Sequence, residues 1–553
     1  MNETDSKDRA IELIAIYDKE IQADSNFMNI YQEVADVMYP RESQITVKKS
    51  KGEVVGRNII DTTGITASID MAAGLSINLF PPGDKFYNVI MQDAELNKVP
   101  SVKKKLGEIT EISHRKRADS NFMLQANETL RALGTFGTGC IFNEYITGVG
   151  LNYKDYPIGT YTYMENEQGI VDTLMVEFPY TAKQAFQKWG KNAGETVLVK
   201  MEGAKTHGDE FKFVWIVRPR ELVRQVGEKA RVGKEAKAMP FESLFISRTD
   251  SVIVEESGFP EFPFSVSRWA KSSSEKWGRG IGTYAVGPVN ALQTEKQSLI
   301  NCANLHNNPP KEVLDTFEGE VRVKEGDLNF VAQMGSIKAI EQTALGNFAI
   351  TKEILEMDRQ DVRKLFYNDA FNQLEQLKGD RRNELEIRSR LAEGLRKLVM
   401  PVGRTQSEWL TGMVTRDIKL LERNKQFGEL PAEMQNQDFK IEYVGRLALE
   451  LQAAQSIGWL RWVQEGMEIE TVLPGTLDNV DVDGGYRRRG ITLGVSVEDM
   501  AAEDEVTNKR AERAKKQQMQ FELAALQAGG QAYGQGTKAP EEGSAAAMAM
   551  GAK

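Results

Sequence analysis

The sequence predicts an α+β fold that is mainly helical. Through most of the chain, apolar residues recur at mixed spacings of three and four, which is typical of amphipathic helices. Prolines and glycines mark the ends of these helical segments. Short strand-like segments are concentrated between Leu151 and Phe264. We therefore expect a β-rich insertion within an otherwise helical chain of 553 residues, a length that favours several packed regions.

The first third of the chain predicts four helices and a strand. The helices cover Asp5 to Met38, Thr63 to Leu79, Ser101 to Ser120 and Asn121 to Leu133. Prolines end the first two of them, because the residue before a proline is disfavoured in the helical conformation. The last helix closes in the glycine-rich turn LGTFGTG, and the segment CIFNEYI after it predicts a strand.

The helix from Thr63 to Leu79 carries small residues that allow another backbone to approach closely, namely Ala67, Ala72, Ala73 and Gly74. A run of small and apolar residues that ends in a diproline must be hidden from water. We interpret the helix as buried against the helices that follow it. A contact between subunits is the second possibility.

The β-rich insertion contains the strand-like segments YTYM, VDTLMVEF, FKFVWIV and SVIVEES, with one helical interruption at TAKQAFQKWG. After it, Pro288 is expected to open a helix, since proline is well placed at the first helical position. That helix is expected to end near Asn307, because Pro309 and Pro310 follow.

Two long helical tracts come next, Thr351 to Phe371 and Arg381 to Phe427. Pro401 predicts a kink in the second tract, because a proline inside a helix removes a hydrogen bond. The same tract has a predicted buried face, formed by Leu410, Val414, Ile418 and Leu421.

The C-terminal quarter predicts two more helices. Leu447 to Gln464 is amphipathic, whereas Ala501 to Gln527 is highly charged, with Glu505 and Lys509 four residues apart. A solvated helix or a helix shared among several chains fits that charge pattern. Residues 529–553 have no periodicity, and we expect them to be disordered.

Composition limits the possible functions. The net charge of −10 argues against a protein that coats DNA over its whole surface, so any contact with nucleic acid must be local. The two cysteines and three histidines are far apart in sequence, so no disulfide, zinc site or other metal site is expected. No segment approaches the roughly 18 consecutive apolar residues of a membrane span. We expect a soluble protein made in the cytoplasm.

Two motifs resemble binding loops but lack required residues. The segment GTFGTG is followed by Cys140 and Ile141, where a phosphate-binding loop needs a lysine and a hydroxyl. The segment NVDVDGG resembles the start of a calcium loop, yet Gly490 stands where a glutamate is required, so a turn is the better interpretation. With no nucleophile elbow or zinc-binding helix motif in the chain, we predict no catalytic residues, no cofactor and no enzymatic activity.

Three basic patches remain as candidates for contact with DNA. The first combines residues 103–105 with 114–117, and the third is residues 487–489, after Tyr486. For these two, a solvated helix face or salt bridges between subunits is the preferred interpretation. The middle patch lies in the segment QLKGDRRN, whose glycine separates two long helical tracts. A projecting loop there could touch phosphates through Lys378, Arg381 and Arg382.

The order of segments from Tyr31 to Arg489 resembles that of portal proteins, the head-to-tail connectors of short-tailed, podovirus-type bacteriophages. The matching segments are YQEVADVMYPRES, IIDTTGITASIDMAAGLSINLFPPGDKFYNV, NFMLQANETLRALGTFGTGCIFNEY, PFSVSRWAKSSSEKWGRGIGTYAVGPVNALQ, RLAEGLRKLVMPVGRTQSEWL and IEYVGRLALELQAAQ. No single segment is decisive. Their order and spacing across most of the chain make the resemblance specific.

The resemblance implies a ring-forming subunit with a wing, a stem of two helices, a β-containing clip, a tunnel loop and a helical crown. On this chain it suggests the following regions: 1–180 and 309–495 as the two parts of the wing, 181–189 as the first stem helix, 190–270 as the clip region, 271–308 as the second stem helix with its lead-in, 372–383 as the tunnel loop, 496–528 as a crown-type helix and 529–553 as a disordered tail.

The resemblance also implies a function. A ring, expected to contain twelve copies, would form a channel at one capsid vertex through which double-stranded DNA is packaged and ejected without sequence specificity. Its partners would be the major capsid protein and scaffold, then terminase, then tail adaptor proteins. A different structural head-tail ring, such as a tail adaptor, and a DNA-packaging enzyme are the alternatives.

Overall fold

The computed structural model describes residues 3–220 without 51, 82, 84, 94 and 203–205, residues 239–307, 311–315, 320–321, 330–331, 337–339, 348–369, 398–434 and 437–444, and then 459, 462–470, 475–492, 500–501 and 505–520. The chain divides into two compact units, Met1–Gln452 and Ala453–Lys553.

The first unit contains most of the described helices. They are α1 (Glu3–Ala23), α2 (Ser25–Met38), α3 (Thr63–Leu79), α4 (Pro100–Ala118), α5 (Phe122–Thr135), α6 (Ala182–Trp189), α7 (Glu195–Glu202), α8 (Ile281–Asn307), α9 (Phe348–Leu365), α10 (Val399–Thr405) and α11 (Thr411–Arg423). Its strands are β1 (Tyr87–Met91), β2 (Thr138–Ile146), β3 (Gly150–Asp155), β4 (Tyr161–Glu165), β5 (Val171–Thr181), β6 (Glu210–Pro219), β7 (Phe241–Ser247), β8 (Val252–Phe259), β9 (Phe264–Arg268), β10 (Lys311–Val313), β11 (Ile337–Ala339) and β12 (Phe439–Tyr443). The predicted mixture of helices and strands is confirmed.

The β-rich insertion forms an antiparallel sheet in the order β4-β5-β6-β7-β8. Neighbours in sequence are neighbours in this sheet, which is the common arrangement of consecutive strands. Helix α1 packs on one face, where Ala10, Leu13 and Tyr17 form a separate buried cluster with Val214 and Leu244 of the sheet. The other face joins the main core. The smaller sheets are β3-β2-β9, β1-β12 and β10-β11.

The single helix predicted from Asp5 to Met38 is two helices, α1 and α2, separated at Asp24. The Asp24 side chain is buried, accepts a 2.6 Å hydrogen bond from the Thr162 hydroxyl and pairs with Lys276 at 2.8 Å. These tertiary contacts hold the break, and the apolar periodicity on either side conceals it in the sequence.

Helix α3 has the predicted bounds and packs against α5 and α8. Of its small residues, Ala67 and Ala72 are buried, whereas Ala73 and Gly74 are half-buried. A Cβ at Gly64 would lie 3.1 Å from a methyl group of Val289, so the α3 backbone lies directly against this side chain of α8. The prediction that α3 is buried within the subunit is therefore confirmed.

Helix α8 begins at Ile281, seven residues before the predicted start at Pro288, and ends at Asn307 as expected. Pro288 lies inside it. Ile281, Ala285 and Val289 are buried at i, i+4 and i+8 and continue to Leu292 as one apolar stripe. Burial of this stripe favours a continuous helix despite the hydrogen bond that proline removes.

Helices α10 and α11 are joined by a π-helical turn, Gln406–Leu410. Helix α10 begins at Val399, so Pro401 lies in the first turn and not at the predicted mid-helix kink. A proline there removes no intrahelical bond. The predicted buried face is confirmed, since Leu410, Val414, Ile418 and Leu421 are all buried.

The second unit includes helix α12 (Val482–Thr492) and a helical segment at 505–520. Nearly every residue of 505–520 is exposed, and Lys509 pairs with Glu505 at 2.7 Å, as the charge spacing predicted. Most of the helix predicted at 447–464 and the whole of 529–553 lie outside the described residues. No described helix is both long and apolar enough to cross a membrane.

Candidate nucleic-acid interface

The three predicted DNA-contact residues, Lys378, Arg381 and Arg382, lie within 370–397, outside the described residues. The described chain enters this segment after α9 and leaves it before α10. Both ends are fixed in the main core, since Phe366 and Leu398 are fully buried.

The entry to this segment is a tight turn. Tyr367 has a positive φ of 59°, a conformation that non-glycine residues adopt only when neighbouring contacts hold it. The buried Asn368 follows, and its amide, oriented to donate, lies 3.2 Å from the Ala67 carbonyl oxygen of α3. The basic segment therefore starts from a fixed position beside α3.

Helices α8 and α9 pack against each other, and the chain joining them contains the antiparallel β10-β11 hairpin. Asp61, just before α3, connects both helices. Arg359 of α9 donates to its Oδ2 at 2.7 Å, and Lys296 of α8 lies 3.4 Å from the same oxygen. One buried carboxylate thus holds the two helices to the start of α3.

Gln293 of α8 reinforces this joint. Its Oε1 accepts hydrogen bonds from the backbone N–H groups of Ile60 and Asp61, each at 2.8 Å, and its Nε2 donates to the Asp61 carbonyl at 2.7 Å. Backbone groups ahead of a helix need such partners when they are removed from water. Gln293 therefore fixes α8 to the N-terminus of α3.

The electrostatics of the joint favour a charged Asp61. Burial by itself would raise the pKa of this carboxyl, but hydrogen bonds from Thr63 and Arg359 outweigh it and lower the pKa to about 2. The pair α8 and α9 also brings two acidic side chains together. Glu295 of α8 faces Asp358 of α9, and burial together with the neighbouring Asp358 carboxylate raises the pKa of Glu295.

The first basic patch is dispersed by the fold. Arg117 points into the core, where it pairs with Asp417 of α11 at 2.6 Å and both side chains are buried. The His114 ring stacks on Tyr87, with 4.2 Å between ring centroids. Burial, with the nearby Arg117 charge, lowers the pKa of His114 to about 4, so the ring is neutral at pH 7. Lys105 pairs with Glu108.

The buried Arg117–Asp417 pair belongs to a hydrogen-bond network that the sequence analysis missed. Asp417 also accepts from the Tyr153 hydroxyl at 2.6 Å and from the Asn143 amide at 2.7 Å, and Arg117 donates to the Tyr87 hydroxyl at 2.8 Å. The sequence nevertheless contained a signal that Arg117 is buried. Arg117 continues the buried stripe Val102-Leu106-Ile109-Ser113 of α4, a position where an unpaired charge would be costly.

The third basic patch lies on α12 in the second unit. Arg487 donates to the Ala501 carbonyl at 2.8 Å, and Arg488 lies 3.9 Å from Asp481. Local contacts of this kind agree with the preferred interpretation of a solvated helix face. The segment predicted as a turn, 479–485, includes the start of α12, where Asp481 accepts from the Gly484 N–H at 2.9 Å as a helix cap.

The GTFGTG segment has a packing role. Gly137 has a φ of +110°, and a Cβ there would lie 2.3 Å from the Gly280 nitrogen. The Gly280 N–H donates to the Phe136 carbonyl at 3.0 Å, and the backbone N–H of Trp269 donates to the Gly137 carbonyl at 2.9 Å. The glycines therefore let the α5–β2 turn pack directly on the chain that leads into α8. Among the described residues, no group of three or more acidic, histidine or cysteine side chains is arranged to hold a metal ion.

Comparison with known proteins gives consistent results. The family model described as "Bacteriophage head to tail connecting protein" matches residues 11–500. The "Probable portal protein" of Bordetella phage BPP-1 is 23% identical over 511 residues, which cover 91% of each chain. The "Portal protein" of Salmonella phage epsilon15 is 24% identical over 527 residues, 94% of this chain and 93% of the relative. The resemblance found in the sequence is thereby confirmed, and the chain belongs to the family of bacteriophage head-to-tail connecting proteins.

Proposed function

We propose that this chain is the portal protein of a bacteriophage. The observation that carries the proposal is the family match over residues 11–500, together with relatives of matching length that are named portal proteins. In this function, copies of the chain form a ring at one capsid vertex, and double-stranded DNA passes through its channel during packaging and ejection. Capsid protein and scaffold, terminase and then the tail adaptor proteins bind the ring. The chain would be made in the host cytoplasm and remain in the virion.

We further propose that α8 and α9 form the stem, in place of the assignment to 181–189 and 271–308. A helix of 27 residues such as α8 is about 40 Å long, whereas α6 has eight residues and packs beside the sheet. The segment between α8 and α9 contains the β10-β11 hairpin and would be the clip. The strands of 190–270 would then belong to the wing, because β6, β7 and β8 share one sheet with β4 and β5.

Lys378, Arg381 and Arg382 remain our proposed contacts with DNA. The segment that contains them follows the proposed stem and has buried anchors at both ends. A net charge of −10 per chain would repel DNA from most of the ring. A few cations in each copy would then hold the phosphates loosely and without reading sequence, which suits a conduit.

Electron microscopy of the purified chain tests the proposal, with end-on views classified by rotational symmetry. We expect rings with an open channel and about twelvefold symmetry. A closed oligomer without a channel would contradict the proposal. Because a portal can depend on scaffold to assemble, the same classification is applied to chain co-expressed with its scaffold, where the persistence of monomers would also contradict it.

The two alternatives make different predictions. A tail adaptor would join the particle only after DNA packaging, so antibody labelling of empty procapsids distinguishes it from a portal, which must already be at one vertex. A packaging enzyme would hydrolyse ATP as purified protein. We expect labelling of one vertex in procapsids and no ATP turnover.

A further inference from the structure

A pocket opens at the C-terminal end of α3. It has a volume of about 480 Å³ and lies between the end of α3, the start of β1, the second half of α4 and the start of α5. Its floor consists of three buried rings, Phe80, Phe86 and Phe122, and we call it the phenylalanine pocket. Phe80 meets the other two rings edge to face, with 5.2 and 4.9 Å between centroids. A cavity of this size and apolar floor is typical of a binding site.

The floor of the phenylalanine pocket is held rigid from behind. The Arg117 guanidinium lies 5.4 Å from the centroid of the Phe86 ring and 5.5 Å from that of Phe122. Arg117 is itself fixed by its buried pair with Asp417. The pocket is therefore already formed before anything enters it, and little conformational entropy is lost when it is filled.

The mouth of the pocket is partly apolar and carries a net positive charge. Met123 and Leu124, at the start of α5, are both exposed, and Met123 lines the pocket. Lys85 and Arg115 are exposed lining residues, and we call them the basic rim. Glu111 is the one carboxylate among the described lining residues. An acidic segment with a large apolar side chain would thus be complementary to the pocket.

Helix α9 presents such a segment on its outer face. Ile354 and Met357 are exposed and lie one helical turn apart. Glu353, also exposed, is four residues before Met357, and Asp361 is four residues after it. The Asp361 charge is offset by Lys364 at 3.1 Å, so Glu353 leaves this face with a net negative charge. The face therefore matches the phenylalanine pocket in both polarity and charge.

The two surfaces lie at opposite ends of α3. Arg359 holds α9 to Asp61, just before α3, whereas Phe80 of the pocket directly follows α3. With 17 residues, α3 separates them by about 26 Å. Two different surfaces on one chain suit a head-to-tail contact between copies, and contacts of this kind close into a ring when the rotation between copies allows it.

We propose that Met357 of one copy inserts into the phenylalanine pocket of the next copy in the ring, with Glu353 facing the basic rim. This inference depends on the proposed function as a portal. The flexible methionine side chain is suited to an irregular apolar cavity, and its removal from water stabilises the contact. The charges across the contact select one register between copies.

Oxidative crosslinking of assembled rings tests the contact with the variant Met123→Cys/Met357→Cys. Every variant also carries Cys302→Ser, because Cys302 is only half-buried, whereas Cys140 is fully buried. Positions 123 and 357 are too far apart within one chain for a disulfide, so we expect a ladder of covalent oligomers on a denaturing gel. Met123→Cys/Val199→Cys is the matched control, since Val199 is 61% exposed and Met357 60%. It should give no ladder.

Rings of Met123→Cys/Met357→Cys that yield only monomers, or dimers without higher species, would overturn the inference and leave the portal function intact. A head-to-tail contact must link every copy to the next. If the natural chain forms no rings even with scaffold, the proposed function itself fails.

Photocrosslinking in assembled particles identifies the occupant of the pocket independently. The photoreactive residue p-benzoylphenylalanine replaces Met123, and the particles are irradiated. We expect covalent multiples of this chain. Linkage to capsid, scaffold or adaptor protein in their place would overturn the inference, because the pocket would then belong to a different partner.

Charge reversal provides a test that needs no reactive group. Glu353→Lys places a cation opposite the basic rim, so we expect the fraction of chain in rings to fall several-fold. Adding Lys85→Glu and Arg115→Glu should restore most of it. Glu195→Lys, at an exposed position of α7, is the control and should assemble normally. Normal assembly of Glu353→Lys, or a loss that reversal of the rim does not restore, would contradict the contact.

Discussion

At the scale of single residues, the most demanding feature of this protein is a buried charge. Arg117 and Asp417 are 300 residues apart in sequence, and both are almost fully removed from water. Removing a charged pair from water is expensive unless every polar group finds a partner. Here Tyr87, Tyr153 and Asn143 supply those partners. The network fixes α4 and α11 in one relative position.

The Asp417→Ala variant tests this network. It leaves the Arg117 charge buried without its partner, so we expect the free energy of unfolding to fall by about 3–5 kcal/mol. Urea denaturation followed by circular dichroism measures the change. The exposed pair of Arg423 with Glu261 provides the control, and Arg423→Ala should cost no more than about 1 kcal/mol.

The double variant Arg117→Met/Asp417→Leu separates the cost of an unpaired charge from the cost of lost packing. Since both charges are removed, it should be more stable than Asp417→Ala. If Asp417→Ala and Arg423→Ala lowered the free energy of unfolding equally, the buried network would not be what holds α4 and α11 in one relative position.

At the scale of elements, two close approaches organise the core. One is the joint of α3, α8 and α9 at Asp61. The other is the glycine contact between the α5–β2 turn and the chain leading into α8, where Gly137 meets Gly280. In both places the geometry depends on segments that are distant in sequence.

Gly137→Ala and Gly148→Ala distinguish steric contact from backbone strain. Both glycines have positive φ, at +110° and +86°, so alanine costs roughly 1–2 kcal/mol at either position. Only at Gly137 would the added Cβ meet backbone atoms, whereas nothing lies within 4 Å of it at Gly148. We expect a clearly greater loss of thermal stability for Gly137→Ala. Equal losses at the two positions would contradict the close contact.

The Asp61 joint predicts a pH dependence. Folding lowers the pKa of Asp61 from 3.8 to about 2, so its stabilising contribution is complete above about pH 4 and is lost as the pH falls towards 2. The stability difference between the natural chain and Asp61→Asn should therefore be greatest above pH 4 and shrink in acid. Urea midpoints at several pH values measure it.

Asp361→Asn is the control for this measurement, because Asp361 lies on α9, the helix of the Asp61 partner Arg359, in an exposed pair with Lys364. The Asp361→Asn substitution should change the stability of the chain only slightly at every pH. A difference between the natural chain and Asp61→Asn that stays constant from pH 5 to pH 3, or grows in acid, would remove Asp61 from its proposed role.

At the scale of the whole molecule, function in our proposal depends on many copies with the same weak contacts. A ring of acidic chains would repel DNA, and repeated loop cations would retain it. The proposed stem, α8 with α9, leads directly into the segment that carries those cations. Their placement near the channel would thus follow from the chain order.

The combined change of Lys378, Arg381 and Arg382 to alanine tests this arrangement. We expect rings to form normally, because the segment is anchored by residues outside the substitutions, and the yield of genome-filled particles to fall several-fold. The matched control replaces Arg487, Arg488 and Arg489 by alanine, which removes the same charge from α12. An unchanged yield in the first variant, or an equal fall in both, would rule out the loop assignment.

The sequence by itself determined the class of fold, the bounds of α3, the positions of strands β2, β4, β5, β6 and β8, and the family. Local patterns carry this information, since apolar spacing and proline position specify an element without reference to distant residues. The order of those elements along the chain was sufficient for the resemblance.

The tertiary structure decided what local patterns could not. The break at Asp24 and the continuation of α8 through Pro288 depend on contacts with other elements. The first basic patch looked like one cationic surface, yet the fold buries Arg117 against Asp417, 300 residues away. A charge in a sequence has no fixed environment until long-range packing either leaves it in water or provides its partner, and that packing is the property of the folded chain.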